Sequence, residues 1–286
     1  MRRSITFLLT FCFTIGYLNI HAQNNKQTNN NSLLNKKINE KEAIIWYLGH
    51  CGYAVKTKTK LLIFDYQEKV QTPDRKKVEK PADASLFNGW INPEEIKNLD
   101  VVVFASHSHS DHYDEIIFNW EKTVKKINYV FGWQLKDGKN YFSLPAPRKE
   151  AKFDGIEIYT VNSHHSGVPE CAFIVKVDGL TIFHEGDYIG KMGENEPYRV
   201  VEDMKHLRTK VEKADLMFIG AWTGEPILQM LHSLNPNAVF AMHYGYREEK
   251  YQDFAADLKN KGENVPLFIP EKKGDYVEYK NGTITK

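Results

Sequence analysis

Residues 101–112 read VVVFASHSHSDH, an apolar run that passes directly into a cluster of histidines and an aspartate. The run from Val101 to Ala105 is continuous, which predicts a strand buried on both faces. A cluster at the end of such a strand lies where side chains converge in an open crevice. Three histidines and an aspartate at this position therefore indicate a metal site rather than a solvated polar loop.

The spacing within the cluster predicts that the ligand side chains point to two neighbouring positions. His107, His109 and Asp111 are two residues apart, so in an extended segment they project to the same side. His112 breaks this period and can face a neighbouring point. Imidazole and carboxylate groups suit Zn²⁺, Mn²⁺ or Fe²⁺, and a thiolate is not needed. The residues alone leave the identity of the metal open.

The chain on either side of the cluster indicates a layered α/β fold. Three short apolar strands are expected before it (AIIWYLG, YAVKT and LLIFD), followed by a long surface loop or small cap from Tyr66 to Gly89. After the cluster an amphipathic helix is expected, with Ile116, Trp120, Val124 and Ile127 on one stripe. Strands and helices then alternate, which predicts two packed sheets covered by helices.

The cluster resembles the signature of a known family. The pattern His107-x-His109-x-Asp111-His112 is similar to that of the metallo-β-lactamase superfamily, which implies a four-layer αββα sandwich over nearly all of residues 43–286. Five other segments match in chain order, and the first two resemble the branch that contains L-ascorbate-6-phosphate lactonase. They are Leu48-Gly49-His50, Ile63-Phe64-Asp65, His165-Ser166-Gly167, Phe183-His184-Glu185-Gly186-Asp187 and Met242-His243-Tyr244.

The resemblance implies a pair of divalent metal ions, with zinc expected and manganese or iron also compatible. Asp187 would bridge both ions, and Asp111 would act in catalysis as both ligand and proton shuttle. The remaining ligands are divided between the ions: His107, His109 and His165 for one, and Asp111, His112 and His243 for the other.

Four further residues are expected near the metals. His164 is the alternative to its neighbour His165 as a ligand. His50 is expected either to line the pocket or to support the structure around it. Asp65, at a strand end, would accept a hydrogen bond from a ligand imidazole and so fix its tautomer. His184 is expected to be a buried support rather than a ligand.

The ligand pattern implies a metal-dependent hydrolase, in which a hydroxide shared by two metals attacks a small ester, lactone or phosphoester. An aspartate at position 187 disfavours a true β-lactamase, because lactonases, thioesterases and phosphodiesterases carry this bridge. The alternatives are a phospholipase-type phosphodiesterase, a mononuclear iron dioxygenase and a non-catalytic metal-binding protein. A phosphate group usually requires a basic residue near the metals, and Arg247 is the arginine close in sequence to a ligand.

The N-terminus follows a different pattern from the rest of the chain. Arg2 and Arg3 precede an apolar run over residues 5–20, and the small residue Ala22 follows. This pattern predicts a secretory signal peptide at residues 1–22, a polar leader at 23–42 and one hydrolase domain at 43–286. The expected location is periplasmic or secreted, without stable membrane insertion after cleavage.

The overall charge points to no nucleic-acid partner. The 38 Lys and Arg residues nearly balance the 37 Asp and Glu residues, so a small-molecule substrate is expected instead. Beyond the signal peptide the cysteines are Cys51 and Cys171, for which two buried thiols are expected ahead of a disulfide. Neither the substrate nor the oligomeric state follows from the composition.

Overall fold

The computed structural model describes residues 33–68, 78–135, 138–145, 148–165, 168–188, 197–222, 224–245 and 247–286, without the side chains of 162–165, 197 and 198. The predicted signal peptide and residues 23–32 of the polar leader lie outside this range. The segment Ile38–Lys286 is one compact unit. No helix among the described residues combines the length and apolar character that a membrane crossing requires.

The apolar run from Val101 to Ala105 lies in an inner strand of the first sheet. In the described residues the eight strands of this sheet are β1 (Ala43–Gly49), β2 (Gly52–Lys56), β3 (Leu61–Phe64), β4 (Asp100–Ala105), β5 (Lys126–Phe131), β6 (Tyr141–Ser143), β14 (Tyr276–Lys280) and β15 (Thr283–Thr285). Their spatial order is β15-β14-β1-β2-β3-β4-β5-β6. β4 pairs in parallel with β3 and β5, and its residues from Val101 onward are buried. The predicted strand, buried on both faces, is confirmed.

The second sheet contains seven strands within the described part of the chain. They are β7 (Glu150–Phe153), β8 (Ile156–His165), β9 (Val168–Val177), β10 (Leu180–His184), β11 (Leu216–Gly220), β12 (Ala238–Met242) and β13 (Leu267–Phe268). Their spatial order is β13-β12-β11-β10-β9-β8-β7. β10 to β13 run parallel, so the chain returns through helices, whereas β7 to β10 are connected as antiparallel neighbours.

The two sheets pack face to face through aromatic side chains. Phe104 of β4 lies 5.6 Å from Phe173 of β9 between ring centroids, and Tyr53 of β2 lies 4.7 Å from Phe218 of β11. This core confirms the α/β fold with two packed sheets. Helices complete it: α1 (Pro93–Ile96), α2 (Pro197–Arg208), α3 (Glu225–Leu234) and α4 (Lys250–Asn260), with 3₁₀ helices at Leu86–Asn88 and Glu115–Lys122.

The prediction of one amphipathic α-helix after the cluster is wrong, both in the type of helix and in its length. The segment Glu115–Lys122 is a 3₁₀ helix with Thr123 as its C-cap, and Ile127 belongs to β5. Asp114 caps the first turn by accepting a hydrogen bond from the backbone N–H of Ile116 at 3.1 Å. The apolar spacing merged two elements, because buried positions on the helix happen to be followed at the same interval by a buried position on the strand.

Candidate metal centre

The loops that follow five strands converge at one place and carry most of the predicted site residues. This placement is common in α/β proteins, where ligands bind beyond the carboxyl ends of strands. The loop after β1 carries His50, that after β3 carries Asp65, that after β4 carries residues 106–112, that after β10 carries Asp187 and that after β12 carries His243.

Three of these residues have left-handed backbone conformations. The φ angles are 50° at His50, 43° at Asp65 and 79° at His243. For a residue other than glycine, such a conformation costs roughly 1–3 kcal/mol of free energy, and it persists only where the surrounding structure fixes it. These loops are therefore held in the bent shape that turns the three side chains toward a common point.

The segment of residues 106–112 brings its side chains together by turning, not by running extended. The backbone N–H groups of His112 and Tyr113 both donate to the carbonyl oxygen of His109, at 3.0 Å each. We expected an extended segment that projects alternate residues to one side, and this expectation is wrong because the segment forms a turn. The side chains of His107, His109 and Asp111 nevertheless meet, with one potential ligand atom from each within 4.8 Å of the others.

Asp187 lies between histidines from two different loops. Its Oδ1 atom lies 2.8 Å from Nε2 of His243 and 3.2 Å from Nε2 of His112. Burial alone would raise the pKa of Asp187, but His112 and His243 outweigh burial and lower that pKa far below its usual value. His107, His112 and Asp187 form a second group of ligand atoms within 4.8 Å of one another.

Three imidazole nitrogens show that the site fits a divalent metal ion. The Nε2 atoms of His50, His112 and His243 are buried, and within the described residues they make no contact with hydrogen-bond geometry. A buried polar atom left in this way costs about 1–3 kcal/mol, and such cases call for a specific explanation. Imidazole nitrogens that converge on a carboxylate are the donor set that Zn²⁺, Mn²⁺ and Fe²⁺ accept.

The protonation of the histidines agrees with this fit. Burial lowers the pKa of His50 to about 4 and that of His107 to about 3, so both rings are neutral at pH 7 and keep a lone pair. Burial also opposes a charge on His112, but Cys51 and Asp187 raise its pKa above the usual value. Because a metal ion binds the unprotonated nitrogen, protonation and metal binding compete at His112.

Asp65 holds Ser106 and the His112 ring in place through contacts with its buried carboxylate. Its carboxylate accepts hydrogen bonds at 2.7 Å from the backbone N–H of Ser106 and at 2.7 Å from the Ser106 hydroxyl. Its Oδ2 atom also lies 2.7 Å from Nδ1 of His112. Because a carboxylate only accepts, Nδ1 of His112 carries the proton, and Nε2 is the nitrogen that can hold a metal.

Glu170 and Gly186 fix the position of Asp187, and sequence reasoning missed both roles. Buried Glu170 on β9 accepts a hydrogen bond from the backbone N–H of Asp187. Gly186 has a φ of 61°, and a Cβ atom there would lie 2.7 Å from Cβ of Ser106. The Gly-Asp pair in the sequence was a signal for such a turn, whereas nothing local in the sequence of β9 identifies Glu170.

His50 lies at the centre, and His184 lies behind it. Nε2 of His50 is 3.5 Å from Oδ2 of Asp111, and its carbonyl oxygen accepts a hydrogen bond from the backbone N–H of His243 at 3.1 Å. His184 is fully buried, and its Nε2 is 3.0 Å from the carbonyl oxygen of Cys51. The structure thus places His50 among the ligand atoms and His184 in a supporting position.

The wall of the site contains aromatic and basic residues. The Trp222 ring lies 4.4 Å from that of His243, and exposed Arg247 lies over the Tyr244 ring at 5.6 Å. Sequence reasoning missed Lys273. Its Nζ atom is buried over the Trp90 ring at 3.6 Å, makes no hydrogen bond in the described part of the chain, and has a pKa lowered by burial to about 8.

The alkyl chain of Lys273 lies close to the loop that carries His50. A Cβ atom on Gly49 would lie 3.2 Å from Cδ of Lys273, so the lysine side chain packs along the residue that precedes His50. A buried ammonium group that makes no hydrogen bond within the described residues, on a side chain that packs beside Gly49, is suited to an anionic group.

The side chains of His164 and His165 lie outside the described residues, although their backbones pair with Pro169 and Val168 in the hairpin of β8 and β9. We predict that His165→Ala lowers the metal content by about one ion per chain, because the family resemblance implies that His165 is a direct ligand. His164→Ala should weaken metal affinity by at most about 10–100-fold. Elemental analysis of both variants gives the ranking, and the reverse order would assign the ligand to His164.

Comparisons with known proteins agree with this geometry. Residues 44–243, which include all the expected ligands, match the family model of the beta-lactamase superfamily domain. A metal-dependent hydrolase of Thermococcus kodakarensis is 27% identical over 219 residues, which cover 69% of this chain and 83% of that protein. A metal-dependent hydrolase of Pyrococcus furiosus is 22% identical over 213 residues, which cover 70% of this chain and 84% of that protein.

A solved structure has the same fold. The metallo hydrolase from Ignicoccus hospitalis superimposes with a TM-score of 0.52 at 17% identity, over 84% of this chain and 99% of that protein. At this identity the likeness shows the arrangement of strands and helices alone.

Proposed function

The chain belongs to the metallo-β-lactamase superfamily, and from this membership we propose that it is a hydrolase that uses two divalent metal ions to cleave a small ester, lactone or phosphoester. The convergence of buried Nε2 atoms of His112 and His243 on Asp187 carries the proposal. The curated relatives, named metal-dependent hydrolases, support the same reaction class.

The metal ligands would come from four segments of the chain, with Asp187 shared between the two ions and zinc as the expected metal. When bound, two such ions supply Lewis acidity and lower the pKa of a water toward about 7, so that a nucleophile exists without a serine or cysteine. The residues that would hold them are His107, His109, Asp111, His112, His165, Asp187 and His243, with His50 adjacent to Asp111.

Asp111 is placed to move a proton at the open side of the site. Its side chain is 51% exposed, whereas that of Asp187 is 3% exposed, so a substrate reaches Asp111 first. Oδ2 of Asp111 lies 3.5 Å from Nε2 of His50, whose side chain is 13% exposed. Asp111 would accept a proton from the attacking water and return it to the leaving group.

The test is hydrolysis by the metal-loaded protein. We expect turnover within a panel of lactones, model esters, phosphodiesters, thioesters and β-lactams, together with loss of turnover when the metals are removed by a chelator. Iron-dependent turnover that consumes oxygen would replace the proposal with a dioxygenase. Two bound metals without hydrolysis of any compound would leave a non-catalytic metal-binding protein.

Lys273 allows the charge of the substrate to be tested. If the substrate carries a phosphate or carboxylate, Lys273→Met should raise KM by about 10-fold or more, because it removes a charge-assisted hydrogen bond. Lys80→Met is the matched control, since that lysine donates to Glu68 at 2.6 Å and to the Ile91 carbonyl at 2.7 Å. A neutral lactone should show no change in KM with either variant.

Arg247 separates the phosphodiesterase alternative from the lactonase. Arg247→Ala should leave lactone hydrolysis intact, because its guanidinium group is exposed and packs on Tyr244. Loss of phosphodiesterase activity in Arg247→Ala, with no lactone hydrolysis by the unchanged protein, would make the phosphodiesterase the better assignment.

We also propose that the protein is exported. The proposal rests on Arg2 and Arg3, the apolar run over residues 5–20 and the small residue Ala22, which together are typical of a cleaved signal peptide. The mature N-terminus should lie near Gln23 in a periplasmic or secreted fraction, as determined by mass spectrometry. Intact Met1 in a cytosolic fraction would contradict export.

A further inference from the structure

We propose that Cys51 is a metal ligand, whose thiolate completes one of the two metal positions together with His50, His112 and His243. The inference rests on the proposed metal centre and deepens it. The expected ligands of this chain are all histidines and aspartates, and Cys51 is not among them. The structure brings the Cys51 side chain into the same group of ligand atoms.

The position of Cys51 is fixed by its neighbours. Cys51 follows His50 in the turn between β1 and β2, and its side chain is fully buried. Its carbonyl oxygen lies 3.0 Å from Nε2 of His184, which holds the turn against the second sheet. The thiol therefore faces the interior beneath the site, where it cannot act as an ordinary surface cysteine.

The geometry around Cys51 is that of a four-donor site. Its Sγ atom and one nitrogen from each of His50, His112 and His243 all lie within 4.8 Å of one another. Zinc bonds of about 2.0–2.1 Å to nitrogen and 2.3 Å to sulfur place the donors of a tetrahedral site roughly 3.3–3.6 Å apart. The four donors are thus close enough for one ion to draw them together through small side-chain movements.

An independent observation points to a ligand at this position. The Nε2 atoms of all three histidines are buried, and within the described residues their nearest polar contacts, those of His112 and His243 with Asp187 included, lack hydrogen-bond geometry. Three such nitrogens beside a thiol form the donor set of a Cys-His₃ zinc site. Asp187 reaches the same histidines, so it can supply an additional oxygen as a fifth donor or connect this position to the first.

The consequence is that the two metal positions differ in chemistry. The ligand atoms of His107, His109 and Asp111 form a group of nitrogen and oxygen, which Mn²⁺, Fe²⁺ and Zn²⁺ all accept. This group differs from the division that the resemblance implies, in which Asp111 joins His112 and His243. A position that includes a thiolate favours Zn²⁺ or Co²⁺ over Mn²⁺. Binding displaces one proton from the Cys51 thiol to solvent as the metal–sulfur bond forms, and no oxidant or reductant is needed.

The test is Co²⁺ titration of the metal-free full-length protein, in a Cys12→Ser background so that Cys51 and Cys171 are its remaining thiols. We expect visible cobalt bands together with a near-ultraviolet sulfur-to-cobalt charge-transfer band, which saturates at about one cobalt per chain. Cys51→Ser should lose the charge-transfer band and keep visible absorption from the remaining ligands.

Cys171 provides the matched control. It is also a buried cysteine, but its Sγ atom donates to the carbonyl oxygens of Gly132 at 3.3 Å and Leu144 at 3.2 Å, and it forms no disulfide with Cys51. Cys171→Ser should keep the charge-transfer band in full. This result alone would assign the band to Cys51, even if a Cys51 variant failed to fold.

The other outcomes separate this inference from the proposed function. Visible cobalt bands without a charge-transfer band would overturn the thiolate ligand and leave the metal centre in place. A charge-transfer band that persists in folded Cys51→Ser or disappears in Cys171→Ser would also overturn it. No cobalt binding at all would contradict both the inference and the proposed function.

Discussion

Asp187→Ala is expected to abolish activity, with a loss in kcat/KM of more than about 100-fold, the upper range for residues that only support a ligand. Asp187 is the one acid whose oxygen lies within 3.2 Å of two described histidines from different loops, His112 and His243. If Asp187 is the proposed shared ligand, its removal takes one donor from each ion and takes away the negative charge that allows two cations to lie close together. Metal content should fall to at most about one ion per chain.

The matched control is Asp203→Ala. Asp203 is 5% exposed and Asp187 is 3% exposed, but Asp203 accepts a hydrogen bond from the Tyr188 hydroxyl at 2.7 Å instead of facing histidines. The control should lose stability and keep its metal content. Full activity and full metal content in Asp187→Ala would show that Asp187 is not a ligand.

Asp65→Asn is expected to weaken metal affinity by about 10–100-fold, although Asp65 would not touch the metal. The carboxylate fixes the proton on Nδ1 of His112, and an amide at this position would present a donor to Ser106 or to that ring. The metal-free variant should also lose about 1–3 kcal/mol of unfolding free energy, because a buried hydrogen bond is replaced by two opposed donors.

Chelator competition measures the affinity, and thermal unfolding of the metal-free protein measures the stability. Ser106→Ala is the control, because it removes one donor to Asp65 and leaves the contact of Asp65 with His112 in place. Its effect on metal affinity should be smaller than that of Asp65→Asn. Equal affinities for Asp65→Asn and the unchanged protein would remove Asp65 from the account.

The sequence predicted β1 to β5 of the first sheet and the ligand cluster because both are local. The run from Val101 to Ala105 carries its own burial pattern, and His107 to His112 occur within a single loop. Asp187 and His243 could be assigned only through a family resemblance, since no local pattern brings them to that loop. These residues converge only when the two sheets pack together, because the strands that carry them are far apart in the sequence.

Other features of the site escaped prediction for the same physical reason. Glu170 is an ordinary strand residue until the turn at Gly186 places the backbone N–H of Asp187 against it. Lys273 is remote in sequence from every motif, and its side chain lies beside Gly49, the residue before His50, because β14 pairs with β1. The 3₁₀ helix Glu115–Lys122 was mistaken for a longer helix, since apolar spacing does not record where one element ends and another begins.

The most direct test of a dinuclear hydrolytic centre is the metal content of the purified protein, measured by elemental analysis after equilibration with Zn²⁺ and removal of loosely bound ions. The donors that converge around Asp187 and His107 predict about two ions per chain. One tightly bound ion, or none in a folded protein, would contradict the account.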